Sequence, residues 1–153
     1  MNVMEYLDIN KSAYEIKRHR PAFTAQQLAQ EEHVHGINVA KPVIVKGDGQ
    51  YYMCVVPASF KVNMQTLKSL LEVNEIELAD ERELKELFPG SQIGAEPPFG
   101  SLYGLPTMMD ERLRKDDFIL FQDGSHDEAI KLKMSEYLKV EAPKIYSFSE
   151  RLQ

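Results

Sequence analysis

Residues 39–56 read VAKPVIVKGDGQYYMCVV, two runs rich in Val, Ile and Tyr on either side of Gly47-Asp48-Gly49. Two strand-length runs parted by turn residues predict a β-hairpin with arms 39–46 and 50–56. Pro42 falls inside the first arm. It has no N–H to give to a ladder, so this end of the arm belongs at an edge, at a bulge or beside a cleft. Cys54 sits in the second arm between Met53 and Val55 and reads as a core position, not a nucleophile.

Upstream of the hairpin, Asn2 and Glu5 have capping-box spacing and open a short helix carrying Val3, Met4 and Leu7. Tyr14 and Ile16 alternate with Glu15 and Lys17 as in a half-buried strand. Thr24 and Gln27 repeat the capping box ahead of a helix running to about His33. Downstream, Asn63 heads a helix with Met64, Leu67, Leu70 and Leu71 on one face. Residues 76–78 read as a short strand, and Asp80 with Glu83 starts a helix that Pro89-Gly90 stops. Residues 107–110, 118–122 and 128–134 read as three more strands, and Ser135 is the expected cap of a terminal helix. About six or seven strands mixed with helices, without regular βαβ alternation, predict an α+β fold around a mixed, curved sheet. The length of 153 residues suits one domain over 1–153.

Lys plus Arg number 18 against 24 Asp plus Glu, a formal charge of −6, while 43% of residues are hydrophobic. That balance suits a globular core and excludes a generally basic nucleic-acid binder, so any polyanion must meet a local patch. Lys17-Arg18-His19-Arg20 is such a cluster, readable either as a solvated loop or as a phosphate contact. The lone cysteine excludes an internal disulfide and any multi-cysteine metal site, and no cofactor or metal is expected. His33-Val34-His35 has no third ligand near it in sequence and reads as a surface loop. No apolar run is long enough to span a bilayer and the N-terminus is not built like a signal peptide, so the expectation is a soluble, cytoplasmic domain. Walker, dinucleotide-binding, paired-histidine and nucleophile-elbow motifs are all missing.

Three stretches hold the candidate chemistry. Residues 89–106 carry four prolines and four glycines with little periodicity, the profile of a functional loop. Within it, Gly94 and Gly100 flank Pro97-Pro98: glycine lets backbone N–H groups approach a ligand, and proline holds the loop in one shape. Lys41 reads either as a lysine on the solvent face of a half-buried strand or, because Pro42 follows it, as one bordering an opening. Gly124-Ser125-His126 joins two strands, a hairpin with an exposed histidine on the plain reading.

Taken in order, these segments resemble the YbaK family of free-standing aminoacyl-tRNA deacylases, a module also found as the editing insertion of bacterial prolyl-tRNA synthetases. The resemblance runs through residues 19–25, Val39-Ala40-Lys41, the hairpin end Val55-Val56-Pro57, Gly94 with Pro98-Phe99-Gly100, Leu105-Pro106, Asp110 and residues 124–129. It implies a curved, barrel-like sheet with surrounding helices and hydrolysis of a mischarged aminoacyl-tRNA. Lys41 matches the family's functional lysine, and Gly94 and Pro98 match its glycine–proline loop. His126 falls near the aminoacyl pocket, and Thr24, Phe99, Gly100, Gly124 and Ser125 join the expected substrate-binding set. Two positions depart from the pattern: Pro42 follows the lysine, and Glu96 puts an acid into a loop that is usually apolar.

The implied bond is an activated ester on the terminal ribose, so positioning and charge stabilisation suffice to hydrolyse it. Backbone N–H groups near Gly94 and Gly100 are the expected oxyanion donors, with Lys41 orienting a phosphate or the carbonyl. The 3′ end of a mischarged tRNA is the expected partner, met by Lys17, Arg18 and Arg20 and by stacking of the terminal adenosine on Phe99 or Tyr103. An aminoacyl-tRNA synthetase is a second expected partner. A small pocket would serve as the sieve, since one methylene is worth only about 1–3 kcal/mol of discrimination. A non-catalytic aminoacyl-tRNA-binding or regulatory module, and a hydrolase of small esters or amides, fit the same residues.

Overall fold

A computed structural model of the chain describes residues 1–20, 22, 25–32 and 38–152. Thr24, its expected capping box with Gln27, and His33 and His35 therefore lie outside the described residues or depend on them. The hairpin forms as expected from β2 (Ala40–Gly47) and β3 (Gln50–Pro57), paired from Gly47–Gln50 to Ala40–Pro57. Asp48 and Gly49 both take positive φ, 46° and 85°, the geometry of the two-residue type I′ turn that suits strand twist. The Asp48 carboxylate accepts the backbone N–H groups of Asn74, at 3.0 Å, and Glu75, at 2.9 Å, which ties the turn to the chain entering β5 (Ile76–Leu78).

Around this hairpin a mixed sheet runs in the order β5-β2-β3-β6-β9, with β6 (Thr107–Asp110) parallel to β3 and β9 (Lys144–Tyr146) parallel to β6. A second, antiparallel sheet has the order β1-β8-β7, from Tyr14–Arg18, Glu128–Lys133 and Phe118–Gln122. The strands β4 (Phe60–Val62) and β10 (Ser149–Arg151) form a separate antiparallel ribbon. The α+β assignment holds. Among the described residues no closed barrel forms; the two larger sheets touch through one isolated parallel bridge, Val39 to Leu120. Among the described residues the strands number ten, and those beyond the expected set are the three-residue pieces β4, β9 and β10, too short to show a period of two.

Helix starts follow their caps. Asn2 accepts the Glu5 N–H at 2.9 Å ahead of α1 (Val3–Ile9), and Asn63 accepts the Thr66 N–H at 3.1 Å ahead of α3 (Met64–Leu71). Asp80 and Glu83 complete a reciprocal capping box on α4 (Glu81–Leu87), and α2 spans Ala25–Glu31. Ser135 does not cap the last helix. That helix, α6 (Met134–Glu141), starts from Lys133 without a side-chain cap, Ser135 lies inside its first turn, and β9 and β10 follow it. A one-turn helix, α5 (Glu111–Arg114), has Asp110 as its cap. Fully buried, Asp110 accepts the N–H groups of Arg112 and Phe148, both at 2.9 Å, and so fastens the segment after β9 to β6. No helix among the described residues is long and apolar enough to cross a membrane.

The main core lies between the two larger sheets. Phe99 is fully buried at its centre, edge-on to Tyr137 at 5.0 Å, Phe121 at 5.4 Å and Tyr6 at 6.1 Å. Next to it, the Gly100 N–H donates to Thr107 Oγ1 at 3.0 Å, and Thr107 in turn donates to the half-buried Glu141 carboxylate at 2.5 Å. Only glycine fits there, because a Cβ would collide with Thr107 Oγ1 and lie 2.7 Å from the Leu105 carbonyl oxygen. We expect Gly100→Ala to lower unfolding stability by about 1–3 kcal/mol in urea titration, the usual range for overpacking. An unchanged midpoint would mean that both Thr107 and the Leu105 carbonyl can move aside at no cost.

Candidate active site

The 39–58 backbone hydrogen bond, Ala58 N–H to the Val39 carbonyl at 2.9 Å, sets which residues of β2 face β3. With that register the odd residues 41, 43 and 45 turn their backbone groups to β3, and the even ones face the opposite edge. Strand β5 covers this edge only along Val45–Gly47, extended by Ala79 N–H to the Ile44 carbonyl at 2.9 Å. Pro42 lies just past the covered stretch. Its missing N–H would have pointed at the open half of the edge, so the proline costs no ladder bond there and β5 cannot extend over it.

A pocket of about 240 Å³ lies against this open stretch of edge, lined by Ala25, Leu28, Val39, Ala40, Lys41 and Pro42 together with Gly94, Glu96 and Gln122. The structure thus brings Lys41 and the Gly94 loop to one cavity. The Lys41 ammonium donates to the Phe60 carbonyl at 2.7 Å, and the side chain also lines a second cavity beyond β2. Burial lowers its pKa below the ordinary lysine value.

The loop itself is bound up with its own side chains. Gly94, at φ 86°, donates its N–H to the Glu96 carboxylate at 3.1 Å. Glu96 is buried, and burial raises its pKa against the lowering effects of its own backbone N–H, the Gly94 N–H and nearby His126. Both glycine donors expected for an oxyanion therefore have partners inside the chain: Gly94 has Glu96, and Gly100 has Thr107. Pro98 is buried and receives the Tyr137 hydroxyl on its carbonyl at 2.6 Å. Phe99 belongs to the core and offers no face to a ligand, which corrects the expected stacking role; the residue after two prolines turns inward because the 3-10 turn at Gly100–Tyr103 begins there. Tyr103 packs edge-on against Phe88 at 4.5 Å.

The turn after β7 is pinned to this loop. The Gln92 N–H donates to the Gly124 carbonyl at 2.7 Å, and the Gln92 side-chain oxygen accepts the His126 N–H at 2.8 Å. Gly124 has φ 114° and approaches Ser91 closely enough that a Cβ would sit 3.2 Å from its hydroxyl. His126 Nδ1 lies 3.1 Å from the Ala22 carbonyl, which also accepts the Gln122 side-chain amide. Gln122 is a site residue that motif reading passed over; its signal was a polar side chain ending the apolar run Phe118–Phe121. Ser125 is spent within the turn, its hydroxyl 3.0 Å from the carboxylates of both Asp123 and Asp127. In the basic cluster, Lys17 pairs with Glu15 at 3.2 Å and Arg18 with Glu128 at 3.3 Å; Arg18 and Arg20 are both exposed.

A family model described as an aminoacyl-tRNA editing domain matches residues 19–140. The chain belongs to this family. Among curated relatives, the multifunctional Ser/Thr-tRNA deacylase ProXp-y of Escherichia coli (strain K12) is 31% identical over 68% of this chain and 64% of its own length. A proline--tRNA ligase of Leuconostoc citreum is 26% identical over 80% of this chain and 23% of the ligase. The chain thus spans about a quarter of the ligase and just under two thirds of the deacylase. In solved structures the fold recurs in a hypothetical protein at TM-score 0.88 and 21% identity, covering 97% of this chain and 99% of that one. It recurs again in a candidate trans-editing enzyme for prolyl tRNA synthetase at 0.85 and 20%, covering 97% and 94%. The family match takes in Lys41, Gly94, Glu96 and Gln122, all of which line this pocket.

Beside the editing-domain pocket, burial and the neighbouring Glu128 carboxyl push Asp123 up to about 6. Its folded state then holds a proton more tightly than the unfolded chain does, so this contribution is full below pH 4 and is lost as pH rises through about 6. Asp123→Asn keeps the oxygen that Ser125 uses and removes the titration. Urea midpoints between pH 4 and 7 should fall less for Asp123→Asn than for the wild type; parallel curves would show that Asp123 titrates normally.

Proposed function

We propose that this editing domain, acting over residues 1–153, is an aminoacyl-tRNA deacylase that hydrolyses in trans the ester of a mischarged tRNA carrying a small amino acid. The observation that carries this reading is the single 240 Å³ pocket shared by Lys41, Gly94 and Glu96 in a chain of this family. Ala25, Leu28, Val39 and Ala40 make its apolar wall, and a cavity this size suits a short side chain and excludes a larger cognate one. The name of the deacylase relative, with Ser and Thr as its substrates, supports the same size class.

In the reaction, water adds to the ester carbonyl carbon, the bond to the ribose oxygen breaks, and that oxygen takes up the proton. Charge develops on the carbonyl oxygen, where a preorganised donor is worth most. The Gly94 N–H stands at the pocket wall and can exchange its Glu96 partner for that oxygen; Gly100 is too deep in the Thr107 network to do so. Lys41 works as an orienting cation, its four-carbon stem long enough to trade the Phe60 carbonyl for a phosphate or carbonyl oxygen. A nucleophilic role is disfavoured, since an acyl-lysine amide would not turn over. Gln122, on the pocket wall, shares the Ala22 carbonyl with His126. Lys17, Arg18 and Arg20 offer the acceptor stem a few phosphate contacts, which compete with the contacts these side chains make within the chain.

The test is ester loss from a panel of tRNAs mischarged with small amino acids. Lys41→Ala should lower kcat/KM by roughly 10²–10³, the scale of one lost charge-stabilising group. Because burial holds the ammonium below the ordinary 10.5, activity that depends on its charge should fall off on the alkaline side before that value. Undiminished turnover by Lys41→Ala, or tight tRNA binding without ester loss by the wild type, would overturn the reading.

A further inference from the structure

A second cavity, of about 500 Å³, lies on the other side of Lys41, lined by Lys41, Val43, Lys61, Val62, Met64, Leu78 and Glu150. We propose that it binds a nucleotide of the single-stranded 3′ end of tRNA, its phosphate held between Lys41 and Lys61 and its base against the aliphatic wall. The identity of this polyanion rests on the deacylase reading above.

Continuity is the first argument. Lys41 lines both cavities, so a strand whose terminal ester occupies the smaller one passes its ammonium on the way out. The second argument is chemistry: two ammonium groups beside Val43, Met64 and Leu78 match one phosphate and one apolar base face. Leu78 is 58% exposed, among the most exposed large apolar side chains described, and a bound base would cover it. The third is local charge. Phe60, whose carbonyl holds the Lys41 ammonium, has the guanidinium carbons of Arg112 and Arg151 at 4.8 Å and 5.3 Å from its ring centroid.

Lys41, Lys61, Arg112 and Arg151 thus gather at the β4–β10 ribbon, in a chain of net charge −6, with Asp110 and Glu150 as the acids in ion-pair range of Arg112 and Lys61. One of those acids, Asp110, is buried and 3.6 Å from Arg112. The other, Glu150, lies 3.8 Å from Lys61 with both side chains about half exposed, a weak pair that a phosphate can displace. By contrast Lys17 and Arg18 sit on the other sheet, each at closer range to its acid.

Binding of uncharged tRNA, followed by fluorescence anisotropy over a salt series, tests this independently of hydrolysis. Lys61→Gln should weaken binding roughly three- to tenfold and reduce the slope of log K against log salt by about 0.7, the loss of one single-strand phosphate contact. Leu78→Glu, at an exposed position that folding tolerates, should weaken binding as well. Lys139→Glu on α6 controls for net charge and should bind as the wild type does. Wild-type affinity and slope in both Lys61→Gln and Leu78→Glu, an equal loss in Lys139→Glu, or a wild type that does not bind tRNA would each overturn the proposal. Binding that depends on Lys61 and Leu78 in a protein that hydrolyses no mischarged tRNA would uphold it while removing the deacylase.

Discussion

Between the β5 pairing and the Val39–Leu120 bridge a short stretch of one strand edge is left uncovered, and the site depends on that. Strand β2 shares its whole length with β3 but only its second half with β5, and Pro42 stands where the coverage ends. A residue with an N–H at that point would give β5 or a neighbouring chain a ladder to extend along. Proline withholds it, so the edge stays free for a pocket, and Lys41 is carried on a rigid strand rather than on a loop. The departure from the family pattern at position 42 is thus compatible with the strand geometry.

Opposite the edge, the site is assembled from irregular chain, and hydrogen bonds supply the order that secondary structure does not. Gln92 bridges the glycine–proline loop to the 124–126 turn, and the Ala22 carbonyl gathers Gln122 and His126. Deeper in, the Gly100–Thr107–Glu141 relay anchors the end of the same loop to β6 and α6. Burial raises the pKa of both Glu96 and Glu141; backbone N–H groups and nearby His126 offset it at Glu96, and hydroxyl and backbone donors at Glu141. Lys41, on the pocket wall, is left facing a carbonyl, a partner that a phosphate can outbid.

Much of the frame was legible from local pattern. The hairpin followed from β-branched runs around an Asp-Gly turn, the starts of α1, α3 and α4 from their Asn and Asp caps, and the core position of Cys54 from its apolar neighbours; burial pushes that thiol up to about 12. Where local pattern failed, the element was short or its partner was distant. Three-residue strands carry no period, and Ser135 looked like a cap because nothing nearby showed that Lys133 already began the turn. Phe99 looked like a ligand platform because it sits in a proline-glycine loop, yet Tyr6, Phe121 and Tyr137, all remote in sequence, enclose it.

By itself the chain determined which residue types could do the work: a lysine beside a proline in an apolar strand, a glycine loop stiffened by prolines, and a glycine turn ahead of His126. These are local choices, set by backbone freedom and side-chain chemistry over a few residues. Tertiary structure alone decided which of them meet. It placed Lys41 and Gly94 on one pocket, gave the glycine N–H groups their partners, brought in Gln122, and turned the lysine toward a second cavity with Lys61. Contacts between residues 19 to 104 positions apart depend on how the strands pack, and no local period encodes that packing.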